Sequence, residues 1–201
     1  VGTPGRIFHM IDENYLDAYY QLGLSYFTLK EYSKSTDAFR KGINLNPQNE
    51  AEYFHQLGRA HSGGGDYKQA VFALRESIRL NPDFAPTYFE MGRAFYNLDR
   101  FEEASQYFEK AVNSEQDYVE AHIQLAKAYE QLNELEKSTH SYHEANRINP
   151  DNISTHFDLG LVYKSQSQFE NAVGAFEKVL ELQPEFPEAF FQIGHSYYQL
   201  G

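Results

Sequence analysis

Apolar and small residues recur along the chain at the i, i+3, i+4, i+7 spacing of a helix face. Tyr19, Leu22, Gly23 and Tyr26 follow it in one stretch, and Ser35, Phe39 and Gly42 in the next. Leu29-Lys30-Glu31-Tyr32 separates the two as a tight turn, and Ser62-Gly63-Gly64-Gly65-Asp66 marks the same place in the following pair. The doublet then repeats. Small residues preceded by an apolar one fall at positions 23, 58, 92, 126, 160 and 194, spaced 35, 34, 34, 34 and 34 apart. Tyr19, Phe54, Tyr88, His122, His156 and Phe190 stand four before each of them, and Tyr26, His61, Phe95, Tyr129, Tyr163 and Tyr197 three after.

Second-helix pairs of a small and a large residue follow at Ser35/Phe39, Ala70/Leu74, Ala104/Phe108, Ser138/Tyr142 and Ala172/Phe176. Units close at Pro47, Pro82, Pro150 and Pro184, with Gln116 in the third. Proline has no N–H to give a helix and pushes the residue before it towards extended backbone, so each proline ends a second helix. Pro86 and Pro187 fall where new helices begin, a position that tolerates proline. The small residues allow the two helix backbones of a pair to approach closely. The expected architecture is all-α, five full helix-turn-helix repeats (16–50, 51–84, 85–118, 119–152 and 153–186) plus a half repeat, 187–201. One helix pair buries too little to stand alone, so the pairs must stack.

The aromatic-x-x-Leu-Gly-x-x-Tyr, Ala-x-x-x-Phe and Pro pattern, six times in phase over residues 16–201, resembles the tetratricopeptide repeat (TPR) family. Departures are the lack of Trp, Ala126 for Gly, His122 and His156 for aromatics, and Gln116 for Pro. The resemblance implies a right-handed α-α superhelix, a TPR solenoid, whose first helices line a concave groove. By that likeness the groove carries Tyr20, Phe89, Ile123, Phe157 and Phe191 from the fifth positions of the first helices, and Gln56 and Gln124 from the sixth. The ninth positions give Arg59, Arg93 and Lys127, and the twelfth gives Tyr96. Aromatic residues and Arg are the usual anchors of binding. Glu52, Glu90 and Glu120, also inward by likeness, are candidates to neutralise the three cations. The Lys/Asn/Arg clamp by which chaperone-binding TPR proteins hold a terminal carboxylate has Tyr20, Leu24, Gln56, Pro86 and Glu90 in its places here, so chaperone tails are not expected as ligands.

Composition narrows the function. With 17 Lys+Arg against 29 Asp+Glu the formal charge is −12, which opposes nucleic acid as a main partner. Aromatics make up 16% of the residues, enough to build a core although only 41% of the chain is hydrophobic. No Cys is present, which removes disulfides and thiol catalysis, and no apolar run approaches the ~18 residues of a membrane span. His140 and His143 share a helix face, but neither Cys nor a His-Glu-x-x-His pattern supports a metal site; both are expected to be solvated. Carboxylates spread along helix faces without a catalytic constellation. No cofactor and no enzymatic activity are expected.

The expected role is a protein–protein interaction scaffold, holding a peptide or helical segment with acidic and apolar residues in the groove. Two alternatives are end-to-end self-assembly through uncapped ends, giving a homo-oligomer, and service as the substrate-recruiting arm of a larger enzyme. Residues 1–15 are either a leader or the remnant of a preceding repeat, and the Val start together with the final half repeat suggests a processed or excised chain. The cytoplasm is the expected compartment, with the bacterial periplasm as the alternative.

Overall fold

The computed structural model describes residues 4–45 and 47–201, with side chains described from Tyr15 onward. Among them are eleven helices and no strand. They fall into two compact units, residues 1–100 and 101–201. The first holds α1 (Pro4–Thr28), α2 (Tyr32–Asn44), α3 (Glu50–Gly63), α4 (Tyr67–Leu80) and α5 (Ala85–Tyr96). The second holds α6 (Phe101–Ser114), α7 (Val119–Gln131), α8 (Leu135–Ile148), α9 (Ile153–Ser165), α10 (Phe169–Leu182) and α11 (Pro187–Leu200). Helix α1 runs from Pro4 through the first helix of repeat one; residues 1–3 lie outside the described residues.

Within each unit every helix packs on the next in sequence, and in the first unit α1 and α5 also touch α3. The small/large contact predicted from the periodicity joins the two helices of a repeat. A Cβ added to Gly58 would lie 2.5 Å from Leu74, and one added to Gly160 would lie 2.5 Å from the ring of Phe176. Both large residues are fully buried, so neither has room to retreat. Ser35, on α2, donates its hydroxyl to the Gly23 carbonyl at 2.8 Å and closes the first pair at the same level. Gly194 departs from the rule. A Cβ there meets nothing within 4 Å; among the described residues α11 packs on α10.

Stacking of repeats adds its own bonds. In the first unit Phe39, Tyr53, Leu57, Ala60 and Ala73 form a buried cluster lined by Leu16, Tyr20, Leu24, Phe27, Ile43 and Phe54. The hydroxyl of Tyr53 donates to the Leu16 carbonyl at 2.6 Å, tying α3 to α1. Ser77 of α4 donates to the Ala51 carbonyl of α3 at 2.7 Å and shares a 3.3 Å bond with Thr87 of α5. Thr87 in turn bonds His55 Nδ1 at 3.0 Å. The second unit has two such clusters, one around Ala126, Tyr142, Leu159 and Val162, the other around Ala172, Phe176, Val179 and Ala189.

The helix ends follow their prolines. Asn81, Asn149 and Gln183, each just before Pro82, Pro150 or Pro184, leave helical geometry with φ near −138°, −127° and −139° and ψ of 89°, 84° and 92°. Pro86 and Pro187 occupy the first turns of α5 and α11. Inside each repeat the turn between helices contains one left-handed residue: Lys30, Gly65, Asp99, Asn133 and Ser167, with φ between 56° and 80°. The 34- or 35-residue period therefore sets backbone conformation as well as side chains.

His122 and His156 are built into the repeat as tyrosine substitutes. Tyr88 donates its hydroxyl to the Pro82 carbonyl at 2.8 Å. His122 Nε2 donates to the Gln116 carbonyl at 3.0 Å, and His156 Nε2 to that of Pro150 at 2.8 Å. All three reach back six residues to the closing loop of the preceding repeat. His140 and His143, expected to be solvated, are both exposed, but His143 is not left to water alone: it bonds the Tyr163 hydroxyl at 2.6 Å. Among the described residues no group of three or more His, Asp or Glu is placed to hold a metal ion, and no helix is long and apolar enough to cross a membrane.

Two expectations test this packing. Gly160→Ala should cost about 1–3 kcal/mol of stability in denaturant unfolding followed by circular dichroism, because the ring of Phe176 cannot yield. Gly194→Ala should gain up to about 1 kcal/mol, the helix preference of Ala over Gly with no steric opposition. Second, burial and then the nearby Arg59 hold His55 down at about 4, below the ~6.5 of an unfolded chain. The unfolded chain therefore takes up a proton before the folded one. The contribution of His55 to stability is fully present above pH ~6.5 and is lost as pH falls towards 4, by an amount of order a few kcal/mol. Unfolding of the wild type and of His55→Gln at pH 7 and pH 4.5 should show a smaller acid loss in the variant.

Candidate binding faces of the first helices

In the first unit, α1, α3 and α5 bring the predicted residues Arg59 and Arg93 to one cavity of 210 Å³. Phe27, Tyr32, Tyr67, Glu90 and Asn97 also line it. The guanidinium of Arg59 lies 4.9 Å from the centroid of the Phe27 ring and donates to Gln56 Oε1 at 2.9 Å. Arg93 lies 5.9 Å from the centroid of the Phe89 ring. Both cations meet Glu90: Arg93 Nη1 is 3.2 Å from each carboxylate oxygen, and Arg59 Nε is 3.7 Å from Oε1. The Glu90 side chain is only 10% exposed, whereas those of Arg59 and Arg93 are 33% and 49% exposed. One sunken carboxylate thus holds two guanidinium groups whose outer N–H donors face solvent. Cation–aromatic stacking orients the planes, worth ~0.5–1 kcal/mol at exposed sites.

The second unit is more apolar. Ile123 of α7 is half-buried against the Tyr142–Leu159–Val162 cluster. Phe157 of α9 packs on Phe176 and Phe186, both with ring centroids at 5.4 Å. Phe191 on α11 is 69% exposed. Lys127 Nζ stands 3.3 Å from Asp158 Oδ2. Nearby Glu130 accepts from the Tyr142 hydroxyl at 2.7 Å; burial raises its pKa first, and Asp158 adds to the rise while Lys127 opposes it. Lys164 donates to Gln192 across α9 and α11. Gln124, on α7, is half-buried, as is Tyr96 on α5.

The ion pairs follow one register. Arg59 pairs with Glu90 and Lys127 with Asp158, in each case a ninth-position cation with the sixth-position acid of the next repeat, 31 residues on. Of the expected neutralisers only Glu90 takes that part. Glu52 instead accepts the hydroxyl of Tyr20, and Asp158, at the sixth position of its repeat, serves Lys127. Tyr20 itself is packed edge-on against Phe39 at 5.9 Å and Tyr53 at 5.2 Å, so much of its ring belongs to the core. The 31-residue offset is present in the sequence as a signal, but it joins two first helices and is invisible in either one alone.

Four models of one family match the chain: "Tetratricopeptide repeat" at residues 16–49, 63–118 and 119–152, and "TPR repeat" at 162–201. No curated protein matches the sequence. Solved structures are similar at the level of fold. MamA protein shares 23% identity at a TM-score of 0.78, covering 86% of this chain and 94% of its own. A MamA fragment (41-end) from Desulfovibrio magneticus RS-1 shares 21% at 0.77, covering 85% and 96%. YrrB, described as a TPR protein with an unusual peptide-binding site, shares 18% at 0.73, covering 92% and 95%. With family models matched over residues 16–49, 63–118, 119–152 and 162–201, most of its length, and its helix pairs packed through the small/large contact that the pattern encodes, this chain belongs to the tetratricopeptide repeat family.

Proposed function

We propose that the chain is a non-catalytic protein–protein interaction scaffold, which takes a peptide or helical segment of a partner protein on its first-helix faces. The observation that carries this reading is the arrangement of Arg59 and Arg93 over Phe27 and Phe89, with Glu90 sunk beneath them. Arg59 and Arg93 are a third and a half exposed and each guanidinium carries five N–H donors, so an incoming carboxylate bonds those that Glu90 leaves over without displacing it. The acid that orients the cations is less exposed than they are, and so leaves their outer edges to a ligand. Arg forks and aromatic faces supply the two contacts that dominate protein interfaces, charge-assisted hydrogen bonds and desolvated ring area. The second unit adds apolar area from Phe157 and the largely exposed Phe191, and a cation from Lys127. A segment mixing Asp or Glu with Leu, Ile or Phe matches this chemistry. The peptide-binding description of YrrB, a relative in fold, points the same way.

Selection of displayed random twelve-residue peptides on the wild-type chain should enrich sequences that combine acids with large apolar residues. Individual peptides from that selection, measured by fluorescence polarisation, should include ones that the triple variant Arg59→Glu, Arg93→Glu, Lys127→Glu weakens roughly tenfold or more while its helical circular dichroism is unchanged. A selection in which no peptide is weakened by the three substitutions would reject the first-helix faces as the site.

A further inference from the structure

A second cavity lies on a different side of the first unit, between α2, α3 and α4, and the first-helix reading makes no use of it. Its volume is 260 Å³, and its walls include Arg40 and Ile43 of α2, Phe54, Leu57 and His61 of α3, and Phe72 of α4. Small-molecule pockets run to roughly 300–1,000 Å³, so this is a socket for a side chain or two.

Two of these walls differ from their counterparts in the other repeats. Phe72 stands two residues after the small residue of its second helix, where other repeats have Asp37, Gln106, His140 and Gly174. It is 63% exposed, and the helix contact of its repeat is made by Leu74 against Gly58 without it. His61 occupies the place of Tyr26, Phe95, Tyr129 and Tyr163. Both departures therefore fall in the same repeat and line the same cavity. Packing demands neither.

Arg40 supplies the charge. Its Nη2 lies 3.2 Å from His61 Nε2. A guanidinium only donates, so Nε2 accepts and the imidazole proton sits on Nδ1, 3.8 Å from Asp66 Oδ2. Burial first and Arg40 second hold the His61 pKa below the ordinary imidazole range, which agrees with a neutral ring. Asp66 is engaged at its other oxygen, accepting from the Gln69 N–H as the cap of α4. In the second unit the corresponding contacts satisfy themselves: Tyr129 donates to Glu109, and His143 bonds Tyr163 at 2.6 Å. Arg40 has no carboxylate at ion-pair distance among the described residues, on a chain whose formal charge is −12. One of its five N–H groups is spent on His61, and the residue lines both the apolar socket and a neighbouring cavity with Tyr32, Thr36 and Asp66.

We propose that the cavity between α2, α3 and α4 is a second docking site, which takes a partner-protein segment carrying a bulky apolar side chain beside a carboxylate. The side chain enters between Phe54, Leu57 and Phe72, and the carboxylate meets the outer edge of Arg40. The neutral His61 orients the guanidinium without consuming its charge.

The experiment selects displayed twelve-residue peptides on the full chain carrying Arg59→Glu, Arg93→Glu and Lys127→Glu, so that first-helix ligands are removed at the outset. Selected peptides are synthesised with a fluorophore, and their affinities measured by polarisation for that chain and for the same chain with Phe72→Ala or Arg40→Gln added. The expected result is apolar-acidic peptides that weaken roughly tenfold or more with either substitution, and by a similar factor when their own acid becomes an amide. Phe72 is exposed and outside the helix contact, so Phe72→Ala should leave the circular dichroism unchanged. Failure to recover peptides, or recovery only of peptides indifferent to Phe72 and Arg40, overturns the second site while leaving the first-helix reading standing. Retention of apolar-acidic binding here, with none on the first-helix faces, would uphold the second site and overturn the first-helix reading.

Discussion

Everything in this molecule depends on how closely the two helices of one repeat can approach. A ring or a branched side chain from the second helix lies against a small residue of the first, one with no Cβ where Leu74 lies on Gly58 and Phe176 on Gly160. The contact is steric and therefore unforgiving; an added methyl group would sit at 2.5 Å. It locks the two helices in register, and the same register then determines which side chains meet the next repeat. Hydrogen bonds such as Tyr53 to Leu16 and Ser77 to Ala51 carry that alignment from one helix to its neighbour. They satisfy buried polar groups that would otherwise weigh against folding.

Packing uses the small-residue side of each first helix, and although Tyr20 at a fifth position also enters the core, most residues at positions five, six and nine are left for other work. In α3 and α5 they hold cations oriented by rings and by one sunken acid. In α9 and α11 they hold Phe157 and Phe191, the latter largely exposed. The same division operates on the second helices. Leu74 faces inward to make the contact, and Phe72, two residues earlier, is released to solvent. A repeat protein gains functional surface in this way without disturbing the interactions that hold it together.

Most of the fold is legible in the sequence because steric rules act over a few residues at fixed spacing. The small residues, the prolines and the aromatic positions each have one dominant physical reason, and the helices end where those reasons end them. The left-handed turn residues are less visible. Gly65, Asn133 and Asp99 belong to residue types that tolerate this backbone, but Lys30 and Ser167 give no sign of it. The six-residue bonds of His122 and His156 are hidden likewise, since a carbonyl acceptor belongs to every residue and leaves no mark in the sequence. The first-helix faces are legible as positions but not as pairings. Whether Lys127 meets Glu120 or Asp158 depends on the offset between successive first helices, which is a property of stacking and not of either helix alone.

Ligand carboxylates, in the binding mode proposed for the first-helix faces, are held by guanidinium groups that the fold already orients. A double-mutant cycle between Arg93 and the acidic residue of a peptide selected on the wild-type chain and weakened by the triple variant measures that coupling directly. The predicted result is a coupling free energy of at least about 1 kcal/mol, shrinking as salt is raised. Additive losses, with the acid-to-amide change costing the same on wild type and on Arg93→Gln, would contradict it.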